Sequence, residues 1–186
     1  MKKVIISAVL FLLIKGASAQ HVEYGIKGGV NFSNISNDAA DTKADSKTGF
    51  HFGGLAHIHL TRAFAIQPEI VYSTQGAEYG SGKLKLNYIN VPVLAQYMFG
   101  DGFRIQTGPQ LGILTTSEFK RGNTETDIDN FSNADFSWSF GASYLSHCGL
   151  GVDARYNLGL TDVTKSNTTD FQNRVWQLGL FYQFKH

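Results

Sequence analysis

Between Leu150 and Leu160 the chain reads Leu-Gly-Val-Asp-Ala-Arg-Tyr-Asn-Leu-Gly-Leu, alternating apolar with polar or glycine residues without a break. An apolar residue at every second position is the period of a strand, not of a helix. Successive side chains of an extended chain point to opposite sides. Leu150, Val152, Ala154, Tyr156, Leu158 and Leu160 therefore share one face, and Gly151, Asp153, Arg155, Asn157 and Gly159 share the other. One face is oily; the other carries an acid two residues from a base. The length also suits a tilted membrane-spanning strand, which needs ~9–11 residues.

The pattern recurs along the chain. Val22 to Ser33 sets Val22, Tyr24, Ile26, Val30 and Phe32 against Glu23, Lys27, Asn31 and Ser33. Thr48 to Leu60 sets Phe50, Phe52, Ala56, Ile58 and Leu60 against His51, Gly53, His57 and His59. In Phe64 to Thr74 the residue Pro68 stands on the apolar face, although proline normally demotes a strand to an edge, a bulge or a rim. Leu84 to Phe99 changes phase: Leu84, Leu86 and Tyr88 keep one parity and Ile89 to Phe99 the other, which predicts a bulge near Asn87. Phe103 to Leu114, Phe136 to Leu145 and the segment from Trp176 to Phe184 complete the set with the opening stretch.

These make eight strands, with no amphipathic helix of useful length. The connections alternate long and short: Asn34 to Lys47, Gly76 to Lys83, Thr115 to Asp135 and Thr161 to Gln172 read as long loops. Thr61-Arg62-Ala63, Gly100-Asp101-Gly102 and Ser146 to Gly149 read as tight turns. Transmembrane barrels collect short turns on the periplasmic side and long loops outside. The expectation is an all-β fold, an eight-stranded antiparallel up-and-down transmembrane β-barrel.

Lys2 and Lys3, the apolar run Val4 to Ile14 and the small residues Ala17-Ser18-Ala19 form the three regions of a secretory signal peptide. The apolar run is well short of the ~20 residues of a spanning helix. The expected division is a signal peptide over 1–19 and one barrel domain over 20–186. The single Cys148 cannot form an internal disulfide. Charged residues are 17% of the chain, below the ~25% of soluble domains, and 16 basic residues nearly balance 15 acidic ones, which gives no electrostatic case for nucleic acid.

Alternation alone does not say which face is inside. A soluble barrel would show its polar face to water and carry many Lys and Glu there; here that face is mostly Gly, Ser, Asn and Gln, which suits an enclosed lumen. The apolar face is aromatic towards strand ends, as interface girdles are. Val152, Tyr156, Leu158, Trp138, Phe140, Trp176 and Leu180 are therefore expected to face lipid, and a closed barrel leaves no edge without hydrogen-bond partners.

Gly25-Ile26-Lys27-Gly28-Gly29-Val30-Asn31, Gln67-Pro68-Glu69-Ile70, Asn87-Tyr88-Ile89-Asn90-Val91-Pro92, Gly108-Pro109-Gln110-Leu111-Gly112, Asp153-Ala154-Arg155-Tyr156-Asn157-Leu158-Gly159-Leu160 and Gln177-Leu178-Gly179-Leu180 stand in an order and spacing that resembles the PorT-type outer-membrane β-barrel domain of Gram-negative bacteria. The resemblance runs through the whole mature chain. It implies an outer-membrane barrel, often called porin-like, in a family whose founding members are associated with secretion and gliding. The family commonly stops at the final aromatic, whereas Lys185 and His186 follow Phe184 here.

Glu23, Lys27, Glu69, Arg104, Asp153 and Arg155 all have lumen parity. They could form a charged constriction that selects small solutes, or an ion-pair network filling a barrel whose interior is just wide enough for side chains. The second is favoured, because unpaired charges there would be costly. His51, His57 and His59 share a face, but no acidic or thiolate partner stands beside them, so no metal is assigned. Ser143, Ser146 and His147 are close in sequence without the marks of an activated nucleophile, so no catalytic residue and no cofactor is assigned. The expected partners are outer-membrane lipid and an envelope or secretion protein, the barrel itself being monomeric. The rival classes are a small-solute porin, a lipid-modifying enzyme and a soluble ligand-binding barrel.

Overall fold

The computed structural model describes residues 21–37, 45–79, 82–121, 124–127, 134–160 and 171–184. Nine strands follow one another: β1 Val22–Asn37, β2 Asp45–His59, β3 Phe64–Tyr79, β4 Gly82–Phe99, β5 Phe103–Arg121, β6 Thr124–Asp127, β7 Ala134–Leu145, β8 Leu150–Gly159 and β9 Phe171–Gln183. Neighbours pair antiparallel, and β1 pairs with β9, so the sheet closes on itself through eight of them. The ninth, β6, pairs only with the top of β5 and adds a flap outside the ring.

All three tight turns lie at one end, with the first and last described residues. Gly100 and Gly102 take φ of 62° and 103°, the left-handed region that glycine enters without strain. Thr61 Oγ1 accepts from the N–H groups of Ala63 and Phe64 at 3.2 and 3.0 Å, closing the β2–β3 turn. Phe184 N–H donates to Tyr24 O at 2.7 Å, which seals the first strand to the last.

The other end differs from the sequence expectation. The long loops predicted over Asn34 to Lys47, Gly76 to Lys83 and Thr115 to Asp135 are largely strand: β1 runs to Asn37, β3 and β4 leave only 80–81 between them, and β5 reaches Arg121. Their backbones pair along the ladder although their sequence carries no apolar period. Of the loop predicted over Thr161 to Gln172, residues 161–170 lie outside the described residues, as does the predicted signal peptide, whereas Phe171 and Gln172 already belong to β9. With 19 residues at ~3.3 Å each, β5 is nearly twice the length a bilayer requires.

Burial follows the strand period: β8 reads as alternately exposed and buried from Leu150 onward. The predicted outward residues Val152, Tyr156, Leu158, Trp138, Phe140, Trp176 and Leu180 all project from the outer wall. Phe64, Tyr97, Phe99 and Phe103 form a chain of ring contacts 4.8–5.8 Å apart near the turn end. Phe50, Phe52 and Tyr72 form another set towards the opposite end, and the tilted rings of Tyr156 and Trp176 lie 4.8 Å apart. Trp138 Nε1–H, on this oily wall, donates to Thr107 Oγ1 at 2.8 Å, which in turn donates to Ser139 O.

Three expectations are corrected. Leu86 and Tyr88 are 0% and 1% exposed and point into the lumen, in phase with Asn90, so β4 does not change phase. The irregularity beside Asn87 is real, but the extra residue is Thr115 on the partner: Asn87 pairs with Thr116 and Tyr88 with Leu114. The prolines sit neither at rims nor at bulges. Pro68 pairs forward with Val93, Pro92 with Gln110 and Pro109 with Trp138. Towards the preceding strand each falls in an interrupted stretch of ladder, where the register is nevertheless kept.

Candidate functional site: the lumen

The inward half of each strand fills the barrel. Lys27 on β1, Glu69 on β3, and Asp153 and Arg155 on β8 meet across it, each with at most 3% of its side chain exposed. The Arg155 guanidinium donates two parallel bonds to Glu69, Nη1 to Oε2 and Nη2 to Oε1, both at 2.9 Å. This fork-on-carboxylate geometry is the strongest form of ion pair. Lys27 Nζ donates to Asp153 Oδ2 at 3.1 Å and to Glu69 Oε2 at 3.4 Å, and Arg155 approaches Asp153 at 3.5 Å. Gln67 Nε2 adds a bond to Glu69 Oε1 at 2.8 Å. Two cations face two anions, so the cluster is neutral.

Two of the six predicted lumen charges are not in this cluster. Glu23 and Arg104 lie at the turn end. Glu23 accepts from His21 Nε2 at 3.1 Å with 16% of its side chain exposed. Arg104 is 4% exposed and donates from Nη2 to Gln183 Oε1 at 3.2 Å, with Nη1 3.5 Å from His57 Nδ1.

A second layer was not singled out by sequence reasoning. Asn31 Nδ2 donates to Phe50 O, Ser73 Oγ and Thr74 O at 2.9–3.1 Å. Its Oδ1 receives Gln177 Nε2 at 3.1 Å and lies 2.7 Å from His51 Nδ1. Between Ser46 and His51 the β2–β3 register shifts, and side chains take over the bonding there. Thr74 Oγ1 accepts from Phe50 N–H at 2.8 Å, and Ser33 Oγ donates to Gly76 O at 2.8 Å. The signal available beforehand was Asn31 at lumen parity, two residues after Gly29.

The lumen is also partly apolar. Leu55, Val71, Leu86, Tyr88, Leu94, Val175 and Phe181 are at most 6% exposed. His51 and His57 are inward and buried, on separate partners, and among the described residues no group of three or more potential ligands could hold a metal ion. Ser143 is buried opposite Asp153, whereas His147 is exposed in the turn.

A closed ring of eight strands, an oily outer wall between aromatic bands and a filled polar interior are the features by which known proteins can be compared. The sequence matches the outer membrane protein beta-barrel domain over residues 18–165. The chain belongs to that family. This outer-membrane barrel also superposes on the crystal structure of Neisserial surface protein A with a TM-score of 0.64 at 14% identity, covering 88% of this chain and 99% of that one. Ail, the attachment invasion locus protein of Yersinia pestis, solved with the heparin analogue sucrose octasulfate, gives 0.57 at 16% identity, with 88% and 99% covered. At these identities the likeness is one of fold. No curated protein matches the chain in sequence.

Proposed function

We propose that this outer-membrane barrel is a non-enzymatic, monomeric envelope component that conducts no solute and acts through the strand extensions and loops at the end opposite its tight turns. The observation that carries this reading is the neutral Lys27–Glu69–Asp153–Arg155 cluster across the lumen. A passage would have to break several buried ion pairs at once, and separating such a pair costs about 3–5 kcal/mol. The outward wall, with Val152, Tyr156, Leu158, Trp138, Phe140, Trp176 and Leu180, would meet lipid. Residues 1–19 would be removed on export. β6, outside the ring, presents an open sheet edge, so a partner has a ready strand to pair with. The narrower kinship with PorT-type barrels rests on the quoted motifs and suggests a secretion or assembly partner.

Planar-bilayer recording of the purified protein should give no discrete conductance steps; stable steps would refute the closed lumen and favour a small-solute porin. Deleting 122–133, which carries β6, should leave folding intact and abolish recovery of an envelope partner by cross-linking. Unchanged recovery would refute the loop-end role.

A further inference from the structure

Arg104 is a buried lumen cation that stands outside the ion cluster. Its guanidinium is buried, and it has no ion-pair partner among the described residues. Glu23 is the acid at the same mouth and acts on Arg104 through space, but its carboxylate bonds His21 and makes no direct ion pair with Arg104. Around Arg104 the hydrogen-bonding groups are out of balance. Arg104 Nε, Gln183 Nε2 and Gln106 Nε2 are buried N–H donors with no hydrogen-bond partner. Gln183 and His57 touch Arg104 directly, and Gln106 lies two residues along β5 on the same face. Against these donors stands one unpartnered acceptor, Gln96 Oε1, on the side chain that bonds Gln106.

We propose that the turn end of the lumen binds a small monovalent anion of the halide class, with Arg104 as its countercharge and Gln183 and Gln106 as further donors. Burying a cation without a direct ion pair is costly, and an anion beside it lowers that cost while satisfying donors that have no partner. Monovalence follows from the charge present: one guanidinium offsets one negative charge, and the cost of burying an ion grows with the square of its charge. Small size follows from the eight-stranded lumen, which leaves room between side chains for little more.

The test is unfolding of the full-length barrel in phospholipid vesicles at fixed ionic strength, with sodium chloride or sodium bromide exchanged for sodium gluconate. Binding to the folded form alone raises the unfolding midpoint with halide concentration. The expected result is a saturable rise in both halides, abolished in Arg104→Gln and retained in Glu23→Gln. Equal midpoints in halide and gluconate overturn the proposal, as does a halide dependence that survives in Arg104→Gln or disappears in Glu23→Gln. Should Arg104→Gln fail to fold, crystals of the unaltered protein grown in bromide decide: an anomalous peak within hydrogen-bond reach of Arg104 supports the site, and its absence overturns it.

Discussion

Replacing Glu69 by Gln tests the lumen cluster most directly. The substitution keeps the shape and one acceptor oxygen but removes the charge that faces Arg155 through two bonds of 2.9 Å and Lys27 at 3.4 Å. It leaves two cations against Asp153 alone, in a place where every side chain is at most 3% exposed. One unit pair at about 4 Å is worth ~4 kcal/mol at an effective dielectric of 20, and breaking buried pairs from one side costs about 3–5 kcal/mol. We expect a loss in that range for Glu69→Gln. Asp153→Asn should cost less, because Asp153 makes single contacts at 3.1 and 3.5 Å and no fork. The double change Glu69→Leu with Arg155→Met should recover most of the loss, since apolar pairs often replace buried ion pairs at little cost. The assay is urea unfolding in vesicles, followed by tryptophan fluorescence. A cost below about 1 kcal/mol for Glu69→Gln, typical of solvated pairs, would refute a dry, closed lumen.

Two further substitutions probe the wall. Leu178 pairs with Val30 and Ala154 between the aromatic bands, whereas Val152 lies beside Tyr144 close to the Ser146 to Gly149 turn. Leu178→Arg should therefore cost ~2–4 kcal/mol and Val152→Arg only ~0–1, measured by vesicle unfolding; equal costs would mean that the hydrocarbon band is misplaced. A Cβ on Gly179 would sit 2.8 Å from Asp153 Oδ1 and 3.1 Å from both Gly28 O and His51 Nε2. Gly179→Ala should thus displace the Asp153 carboxylate and destabilise by about 1–3 kcal/mol, and an unchanged midpoint in the same assay would contradict that crowding.

The ring of eight was legible because one face of each strand must be oily wherever the outside is oily, and that requirement writes a period of two. Where strands carry on past that region the requirement lapses. Asn34 to Asn37 and Ser117 to Arg121 are strand by pairing alone, and nothing in their polarity distinguishes them from loop. The same logic misassigned Leu86 and Tyr88, because an apolar residue is welcome in a filled lumen as well as on the wall. Charges of lumen parity were recognisable, but their partners were not: Arg155 and Glu69 are 86 residues apart and meet through the stagger of strands around the ring. That stagger put Arg104 and Glu23 at another level.

The positions of the prolines and of the charges are connected. In an antiparallel pair a residue directs its backbone N–H and C=O to the same neighbour, so a proline deletes a donor on one side only and leaves the other ladder whole. Pro68, Pro92 and Pro109 lie on three consecutive strands and each spares the forward ladder. The interruptions run obliquely across the wall, one of them leaving Glu69 and Ile70 unpaired with Val91 and Pro92. Glu69 is thus held across the lumen, to Arg155 on β8 and Lys27 on β1, at the level where its own strand is least tied to β4. The ion pairs supply cross-bracing to a stretch of wall that has given up ladder bonds. For this reason the cluster belongs to the integrity of the closed ring as much as to the closure of its interior.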